Sequence, residues 1–582
     1  MKLHPSLLLV GVLAAPSSAQ HVRPSTLADA ALSTVDGAVI AAAGDLSAAA
    51  YEEVALGAVF VTTSDGRGLA WSPPVRVDGD ATGADKSIAE TSLAVQDEVI
   101  YFAWGDERSS SGSFGEIFFS RSTDCGATWQ PEQILDDSVP SGGGSVRDFA
   151  MAVTTDGTDA LVYALISVDP SGPGPEEELF LTVSVDGGQT FQPAVPVLGI
   201  GTGVVDVDKI ALAADGLTVH AAWQDDRSGT ADDVFYRRGT VTKAPFAVTW
   251  DTDDQQMDDP ATPTSDAENG LDVLIGGSTV AVLFQEGPGG DPSQELRINV
   301  STDGGLSFPG DLRVGPSTTP ADVDSPCGAV LPDGTILVAW DDNREGGPDK
   351  TFVTRSTDGG ATFAREIQVS TGGGNDPDLA GGGDVWALVW ESVGSGPDDA
   401  ESAFTIDGGA TWNTLSLPVS TTSGDVDTAE IAYSDLYRNF LATFLADDLG
   451  ADHQYAGGYR PQTATLQSVP VPGDPTMNEI EFELQFFDGD LDKFVIVLAS
   501  LQSGSVPLFD ERLIDLAFDE LFLLTLGNQP FLGNLIGASA GTTSSVTAPS
   551  LGNVPVLVAA LGFDTGTLTI GSLTDAIPAV IP

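Results

Sequence analysis

The segment Ser356-Thr-Asp-Gly-Gly-Ala-Thr-Phe363 decides the fold, because close copies of it recur along the chain. Each copy follows a β-rich run and precedes another extended run, which predicts a hairpin turn. In such a turn the aspartate side chain caps the backbone and the paired glycines supply positive φ. We call this segment the repeat turn. Other copies open at Ser122, Ser184, Ser301 and Thr405, with a degenerate copy at Ser64.

The aspartates of these turns are predicted to be structural. They are Asp65, Asp124, Asp186, Asp303, Asp358 and Asp407.

The repeat turns belong to a longer unit with a period of roughly 50–60 residues, which is typical of propellers and repeat arrays. Each unit has room for four antiparallel strands, the content of one propeller blade. The pattern predicts an all-β propeller with eight blades; seven blades follow if the termini share a unit, and six is a further alternative. The fourth and eighth units lack a recognisable repeat turn. The predicted first strands begin near Ala31, Glu90, Phe149, Ile210, Leu271, Gly328, Leu379 and Ile431.

The repeat pattern stops after Arg460, and the rest of the chain has a different character. Residues 464–475 are rich in proline and glycine and predict a linker. Residues 478–487 alternate apolar and polar side chains, which indicates a strand with one buried face. We therefore expect a propeller over residues 24–463 and a C-terminal β-sandwich over residues 476–582.

The N-terminus and the charge bound the cellular setting. Residues 1–19 have a basic start, an apolar run and small residues before Gln20, which predicts a secretory signal peptide. The net charge is −62, from 85 acidic against 23 Lys and Arg residues. Such a surface disfavours nucleic acid and anionic membranes as partners. We expect a monomer, secreted or on the cell surface of a bacterium, without membrane insertion and with Cys125 and Cys327 unpaired.

The repeat turn closely resembles the Asp-box, or bacterial neuraminidase repeat, of the sialidase superfamily. The resemblance covers about three quarters of the chain and implies a β-propeller fold. In that family the box lies at the periphery, away from the active site. The resemblance therefore implies the architecture more strongly than the chemistry.

A second recurring motif is Trp-x-Asp-x-Arg after the second strand of a unit. Asp232 and Asp349 each lie five residues beyond the arginine of one copy. This spacing resembles the first blade of sialidases and implies that the aspartate is an acid/base and that the arginine and tryptophan bind substrate. The alternative is that Asp and Arg pair within each loop and hold it closed. The copies are Trp104…Arg108, Trp223…Arg227 and Trp340…Arg344.

The segment Glu430 to Leu436 resembles the part of sialidases that carries their tyrosine nucleophile. The resemblance implies a catalytic role for Tyr433, with Glu430 beside it. A neutral phenol can approach an anionic sugar where a carboxylate is repelled. The alternative is a chance match, since other units place unrelated residues here. The three arginines that clamp sialic acid in the family are not identifiable; Arg23-Pro24 is a poor counterpart of their first motif.

Acidic pairs precede several first strands and are expected to face the central channel. Converging carboxylates either raise each other's pKa or recruit a hard cation such as Ca²⁺. The alternative is that each aspartate caps the turn into its blade. No cofactor is required by the sequence, and calcium is an optional ligand. The residues concerned are Asp206, Asp208, Asp322, Asp324, Asp425 and Asp427.

Three functions remain open at this stage. The favoured one is a non-catalytic propeller that binds glycans or extracellular proteins on the channel face. The alternatives are an exo-α-sialidase-type glycoside hydrolase and a structural module for adhesion. Substrate cannot be deduced from a fold alone, so the sequence leaves open whether the protein is an enzyme.

Overall fold

The computed structural model describes most of residues 35–457, and beyond these it describes only backbone strands within residues 13–26 and 458–581. The segments not described within the first range are 55, 67, 69–70, 80–85, 107–114, 140–144, 170–176, 199–204, 228–231, 259–264, 267–269, 289–293, 316–322, 345, 394–397, 416–425, 437–438 and 449–450.

The described chain forms eight antiparallel sheets of four principal strands, an eight-bladed β-propeller, as predicted. The innermost strands are Val35–Ala43, Lys86–Gln96, Ser145–Thr155, Val207–Asp215, Asp272–Gly276, Val323–Val330, Asn375–Gly382 and Val426–Ser434. The second strands are Leu46–Glu53, Val99–Asp106, Ala160–Asp169, Thr218–Asp225, Thr279–Pro288, Ile336–Asp342, Val385–Ser392 and Asn439–Asp448.

The third strands are Ala58–Ser64, Glu116–Ser122, Glu178–Ser184, Asp233–Lys243, Glu295–Ser301, Lys350–Ser356, Asp399–Thr405 and Ala451–Pro470. The outer strands of blades 1 to 7 are Val75–Arg76, Gln133–Ile134, Val195–Pro196, Phe246–Trp250, Asp311–Val314, Ile367–Gln368 and Asn413–Leu415. Minor elements are Gln255–Gln256, Ser265–Asp266 and the 3₁₀ turn Asp136–Ser138.

Blade 8 is completed by both ends of the propeller sequence. Ser25 and Thr26 pair with Ala456 and Tyr455, so this short N-terminal strand takes the outer position. Blade 8 also contacts blade 1, where the Ser434 hydroxyl donates to the carbonyl of Gly44 at 2.6 Å. Seven blades is the alternative if the termini share a unit; they share blade 8, and the count is eight, as predicted.

Large apolar side chains on the second strands fill the interfaces between blades. Trp104, Trp223, Trp340 and Trp390 are fully buried there. Burying one large apolar side chain stabilises a fold by about 1.5–3 kcal/mol, so these positions hold neighbouring blades together.

The repeat turns have the hydrogen bonding that their sequence predicts. The Asp186 carboxylate accepts from the Thr190 amide at 2.9 Å and from the Thr190 hydroxyl at 2.7 Å. The Ser184 hydroxyl donates to the same carboxylate and accepts from the Gly188 amide at 2.7 Å. Equivalent bonds surround the other intact copies, at Asp124, Asp303, Asp358 and Asp407.

The second glycine of each intact repeat turn also contacts the preceding blade. A Cβ on Gly360 of blade 6 would lie 2.5 Å from Val300 of blade 5. The corresponding distance is 2.6 Å from Gly126 to Thr63 and 2.5 Å from Gly409 to Leu337. Because real Cβ contacts are never so short, glycine is required here by packing between blades as well as by its positive φ.

Blade 4 lacks a repeat turn, as predicted, and joins its third and outer strands by a hairpin after Lys243. The Lys243 ammonium forms ion pairs with Asp156, at 2.7 Å, and with Asp159, both in blade 3. An ion pair therefore replaces the glycine contact at this boundary.

Three of the acidic pairs lie partly inside the inner strands rather than wholly before them, which corrects their predicted placement. In blades 4, 6 and 7 the register of the inner strand shifts directly after its first or second residue. The strand therefore begins earlier than its apolar pattern suggests. Asp324 lies on the N-terminal side of the β-bulge in blade 6, and Asp376 lies within the β-bulge of blade 7.

The chain divides into two compact units, and the propeller unit is residues 24–436 and 440–457. In the other unit Met477–Gln485 pairs antiparallel with Thr542–Pro549, and Phe494–Ser500 pairs antiparallel with Val554–Asp564. Their assembly as a β-sandwich remains a prediction. Residues 464–470 of the predicted linker continue the strand Ala451–Pro470.

The remaining backbone strands of this second unit are Val506–Pro507, Leu513–Ile514, Thr569–Leu573 and Ile577–Ile581. The predicted signal peptide is described only in Leu13–Ala14 and part of Ser18–His21, and its removal remains a prediction. Among the described residues, no helix has the length and apolarity needed to cross a membrane. Cys125 and Cys327 are both unpaired, as expected.

Candidate functional site

The two faces of the propeller carry different connections. The Gly304 amide in a repeat turn donates at 2.8 Å to the carbonyl of Ser278, which lies between the first and second strands of the same blade. Gly408 and Asp384 form the same bond in blade 7, at 2.9 Å. The repeat turns therefore share one face with the first-to-second turns. The opposite face carries the second-to-third loops and the starts of the inner strands.

On this opposite face, blades 5, 6 and 7 together line a cavity of about 380 Å³. Its size is within the range of about 300–1,000 Å³ that small-molecule sites occupy. We call it the acidic pocket. Its lining residues are Gly270, Gln285, Asp324, Ser325, Asp341, Asp349, Asn375 and Asp376.

Two β-bulges shape the acidic pocket. Asp324 pairs directly with Asp341 on the neighbouring strand, and the bulge follows Asp324. It places Ser325 at φ 46°, and the bulge of blade 7 places Asp376 at φ 49°. The Ser325 hydroxyl donates to the Asp376 carboxylate across the boundary between the blades. Left-handed conformations of non-glycine residues cost about 1–3 kcal/mol and cluster at functional sites.

The carboxyl groups of the pocket perturb one another. Burial, together with the neighbouring carboxylates of Asp376, Asp324 and Asp349, raises the pKa of Asp341 to about 8. Burial and the same neighbourhood also raise the pKa of Asp349. No Lys or Arg is among the described residues that line the pocket. Asp341 therefore holds a proton at neutral pH, beside other carboxyl groups.

Three buried oxygen atoms of pocket residues have no hydrogen-bond partner: Gln285 Oε1, Asp341 Oδ1 and Asn375 Oδ1. Gln285 and Asp341 are 0% and 2% exposed. The Gln285 amide orientation is set by its nitrogen, which donates to the Val323 carbonyl and, at 2.7 Å, to Gln294. Its oxygen is thereby left for the cavity. Buried polar atoms without partners are rare and point to a missing ligand or water.

Gly270 at the rim makes space for this arrangement. A Cβ at this position would lie 2.6 Å from Gln285 Oε1 and 2.5 Å from Pro326, and φ is +76°. A larger residue would therefore displace the glutamine oxygen.

The predicted metal residues divide between several locations. Asp324 lies in the acidic pocket, whereas the Asp206 amide donates to Asp226 at 3.0 Å in blade 4. Within the described residues, no group of three His, Cys, Asp or Glu side chains stands at metal-binding spacing. Calcium binding remains a prediction. Asp322 and Asp425 lie outside the described residues, as do the side chains of Asp208 and Asp427.

The Trp-x-Asp-x-Arg motifs have a structural geometry where they are described. Asp342 is fully buried and accepts from the Trp340 indole at 2.8 Å and from the Arg344 guanidinium. Arg344 also contacts Glu366 at 2.7 Å and stacks on Phe352 at 3.9 Å.

Trp223, Asp225 and Arg227 repeat this arrangement in blade 4, with Asp254 as the second acidic partner. These contacts match the alternative in which the pair holds its loop closed. The buried positions of Trp104, Trp223 and Trp340 do not support substrate binding by their rings. Arg108 lies outside the described residues.

The structure does not bring the predicted sialidase residues together. Tyr433 lies near the end of the inner strand at the repeat-turn face, where its ring packs 5.1 Å from Phe440 and against Gly382. Asp232 and Asp349 belong to second-to-third loops at the opposite face.

Glu430 accepts from the Ile40 amide at 3.2 Å across the boundary between blades 8 and 1. Burial and Asp378 raise the pKa of Glu430 to about 8. Its observed bond is a contact between blades. Of the four residues predicted to be catalytic, only Asp349 lies in the acidic pocket.

Sequence reasoning missed Gln285 and Asp341, although a signal for them exists. Asp341 is the x of Trp340-x-Asp342, and Gln285 follows Phe284 at the corresponding position of blade 5. Alternating strand residues face opposite sides, so x points away from the tryptophan and its aspartate. Polar x residues on a buried strand predict a polar cavity on that side.

Comparisons with known proteins find no matching protein-family model and no matching curated protein. Solved structures do show similarity. A Hadza microbial sialidase is 14% identical, with 68% of this chain and 73% of that chain covered and a TM-score of 0.34. A Trypanosoma rangeli sialidase in complex with the inhibitor DANA is 12% identical, with 78% and 89% covered and a TM-score of 0.34.

A ulvan lyase of a polysaccharide lyase family is 10% identical, with 78% of this chain and 95% of that chain covered and a TM-score of 0.39. At these identities and TM-scores the likeness adds nothing to the propeller architecture described above.

Proposed function

We propose that the protein is a secreted, glycan-binding propeller of the Asp-box type, which binds its ligand in the acidic pocket. The supporting observation is the set of three buried, unpartnered oxygen atoms at Gln285, Asp341 and Asn375. Sugar hydroxyls are donors that satisfy such acceptors. The cavity volume of about 380 Å³ suits a small number of sugar units.

The composition of the pocket walls disfavours a carboxylated sugar as the ligand. Recognition of a carboxylate in proteins relies on arginine forks. The described lining residues contain four aspartates and no arginine. The described arginines of the Trp-x-Asp-x-Arg motifs, Arg227 and Arg344, already form ion pairs with buried aspartates. A sialoside is therefore disfavoured in the acidic pocket relative to a ligand without negative charge.

The test is a glycan array followed by calorimetry with the best ligand. Gln285→Leu removes the pocket acceptor and is expected to weaken binding at least tenfold. Gln224→Leu is the matched control, because Gln224 holds the corresponding position in blade 4 and does not line the pocket. Equal affinity of the two variants would contradict the assignment of the site, and absence of binding to any glycan would contradict the function.

A second candidate function is glycoside hydrolysis, because Asp341 is protonated near neutral pH beside other carboxyl groups. Glycosidases pair a protonated acid with an ionised carboxylate that serves as base or nucleophile. Asp341 would then protonate the leaving oxygen, and Asp349 would be the partner. Release of a chromophore from neutral aryl glycosides by the wild type, lost in Asp341→Asn, would support this activity. Binding without turnover would leave the first function alone.

A further inference from the structure

Apart from the proton on Asp341 and the amide nitrogen of Asn375, the described walls of the acidic pocket present acceptors. Its walls carry four carboxyl groups and the side-chain oxygens of Gln285 and Asn375. Among the described lining residues the one hydroxyl, on Ser325, already donates to Asp376, and the Gln285 nitrogen already donates to protein oxygens. A ligand must therefore supply donors.

Hydroxyl groups satisfy acceptors but leave the charge of the pocket unchanged. Four carboxyl groups without a lining cation repel one another, as the raised pKa values of Asp341 and Asp349 show. A buried charge is stabilised when it is both paired and hydrogen-bonded. A primary ammonium offers three donors and a positive charge in one small group. It meets both requirements at once.

We propose that the pocket selects a glycan unit with a free primary amine, such as the 2-amino-2-deoxy sugar of a de-N-acetylated polysaccharide. The inference rests on the proposed function. The ammonium binds among Asp341, Gln285 and Asn375, and Asp341 ionises when the cation arrives. Binding at neutral pH therefore releases a proton from Asp341 to the buffer.

The cavity on the repeat-turn face provides a contrast. It has a similar volume, about 350 Å³, and lies between blades 4 and 5. Arg238 is among its lining residues, so an ammonium meets a positive group there. The preference for a cation belongs to the acidic pocket and does not extend to every cavity of an acidic protein.

The experiment compares the tetramers of glucosamine, N-acetylglucosamine and glucose by calorimetry at pH 6.0 in 0.15 M NaCl. We expect the glucosamine tetramer to bind at least tenfold more tightly than the other two. Titrations in buffers of different ionisation enthalpy at pH 6.0, where the amine is already an ammonium, should show proton release, absent in Asp341→Asn. Equal affinity for all three tetramers would overturn the amine preference and leave glycan binding intact. Absence of binding to all three and to a glycan array would overturn both.

A protein of net charge −62 attracts any polycation, so the control must separate the pocket from the surface. Asp341→Asn and Asp215→Asn each replace a carboxyl group by an amide, on opposite faces of the propeller. Only Asp341→Asn should reduce the preference for the amine; equal loss in both would assign the effect to the surface and overturn the proposal. Calcium chloride at millimolar concentration is a second arm. If calcium alone stabilises the wild type against unfolding and the amine no longer binds, the pocket binds a hard cation and the amine proposal is overturned.

Discussion

Gly360 of blade 6 lies against Val300 of blade 5 so closely that a Cβ would stand 2.5 Å from the valine methyl group. The preceding residue, Gly359, has a similar positive φ of 70°. A Cβ on Gly359 would have the Thr302 methyl group as its nearest neighbour, at 3.3 Å. The two glycines of one turn therefore have different roles. Gly359 serves the turn, and Gly360 also serves the interface between blades.

We predict that Gly360→Ala is clearly more destabilising than Gly359→Ala. The second change costs about 1–2 kcal/mol through the left-handed backbone alone, whereas the first adds a steric clash to a similar cost. Urea unfolding of both variants measures the difference. Equal free energies of unfolding would show that the blade interface accommodates the added methyl group without loss of stability.

Cys125→Gly is expected to stabilise the protein by about 1 kcal/mol. Cys125 occupies the first glycine position of its repeat turn at φ 56°, and the Gly residue that replaces it avoids the left-handed penalty. Cys125→Ala keeps the penalty and serves as the control for loss of the thiol. A midpoint of thermal unfolding that is the same for both variants would contradict the strain explanation.

Arg344→Met is expected to destabilise the protein by about 3 kcal/mol, because it leaves the fully buried carboxylate of Asp342 without its cation. Arg313→Met is the control, since Arg313 pairs with Glu295 near the surface and exposed pairs contribute less than about 1 kcal/mol. Urea midpoints of the two variants test the contrast. A larger effect at Arg313 would be incompatible with a structural role for the motif.

Stability is expected to fall as the pH rises from 5 to 9. Glu430 and Asp341 have pKa values of about 8 in the folded protein, above their usual values. Protons bound in the folded state and released on unfolding favour folding at low pH, and this stabilisation is lost as the pH passes about 8. Thermal unfolding in 0.5 M NaCl, which screens surface repulsion, measures the trend.

Glu430→Gln should flatten this pH dependence while keeping the acceptor for the Ile40 amide. The turn aspartate Asp303 provides the opposite case. Hydrogen bonds to its carboxylate lower its pKa to about 2, so its contribution changes only in acid. An unchanged slope in Glu430→Gln would assign the pH dependence to other carboxyl groups.

The repeat architecture could be predicted because its determinants are local. The turn at Asp358 needs only residues within a few positions of it, and its copies report the period. The shape of the acidic pocket could not be predicted, because three blades contribute to it and two β-bulges shape it. A bulge depends on the register between strands, and the apolar pattern around Asp324 or Asp376 does not record that register.

Tyr433 shows the limit of a motif without its partners. Its local sequence resembles a catalytic segment, but its strand places the ring near the repeat-turn face, among Phe440 and Gly382. The position along an inner strand decides which face a side chain reaches, and a short match does not contain that information. The polar x residues Gln285 and Asp341, which sequence reasoning missed, carry the signal that indicates the pocket.

The pairing of Ser25 and Thr26 with Tyr455 and Ala456 has a consequence for biosynthesis. A ribosome releases the N-terminal strand first and its partner only after more than four hundred further residues. Until then the first seven blades can assemble in order, but their circle has a gap whose unpaired strand edges are liable to aggregate. We therefore expect chaperones to favour folding until the last blade emerges, and truncation of either end to leave the same strand edges unpaired.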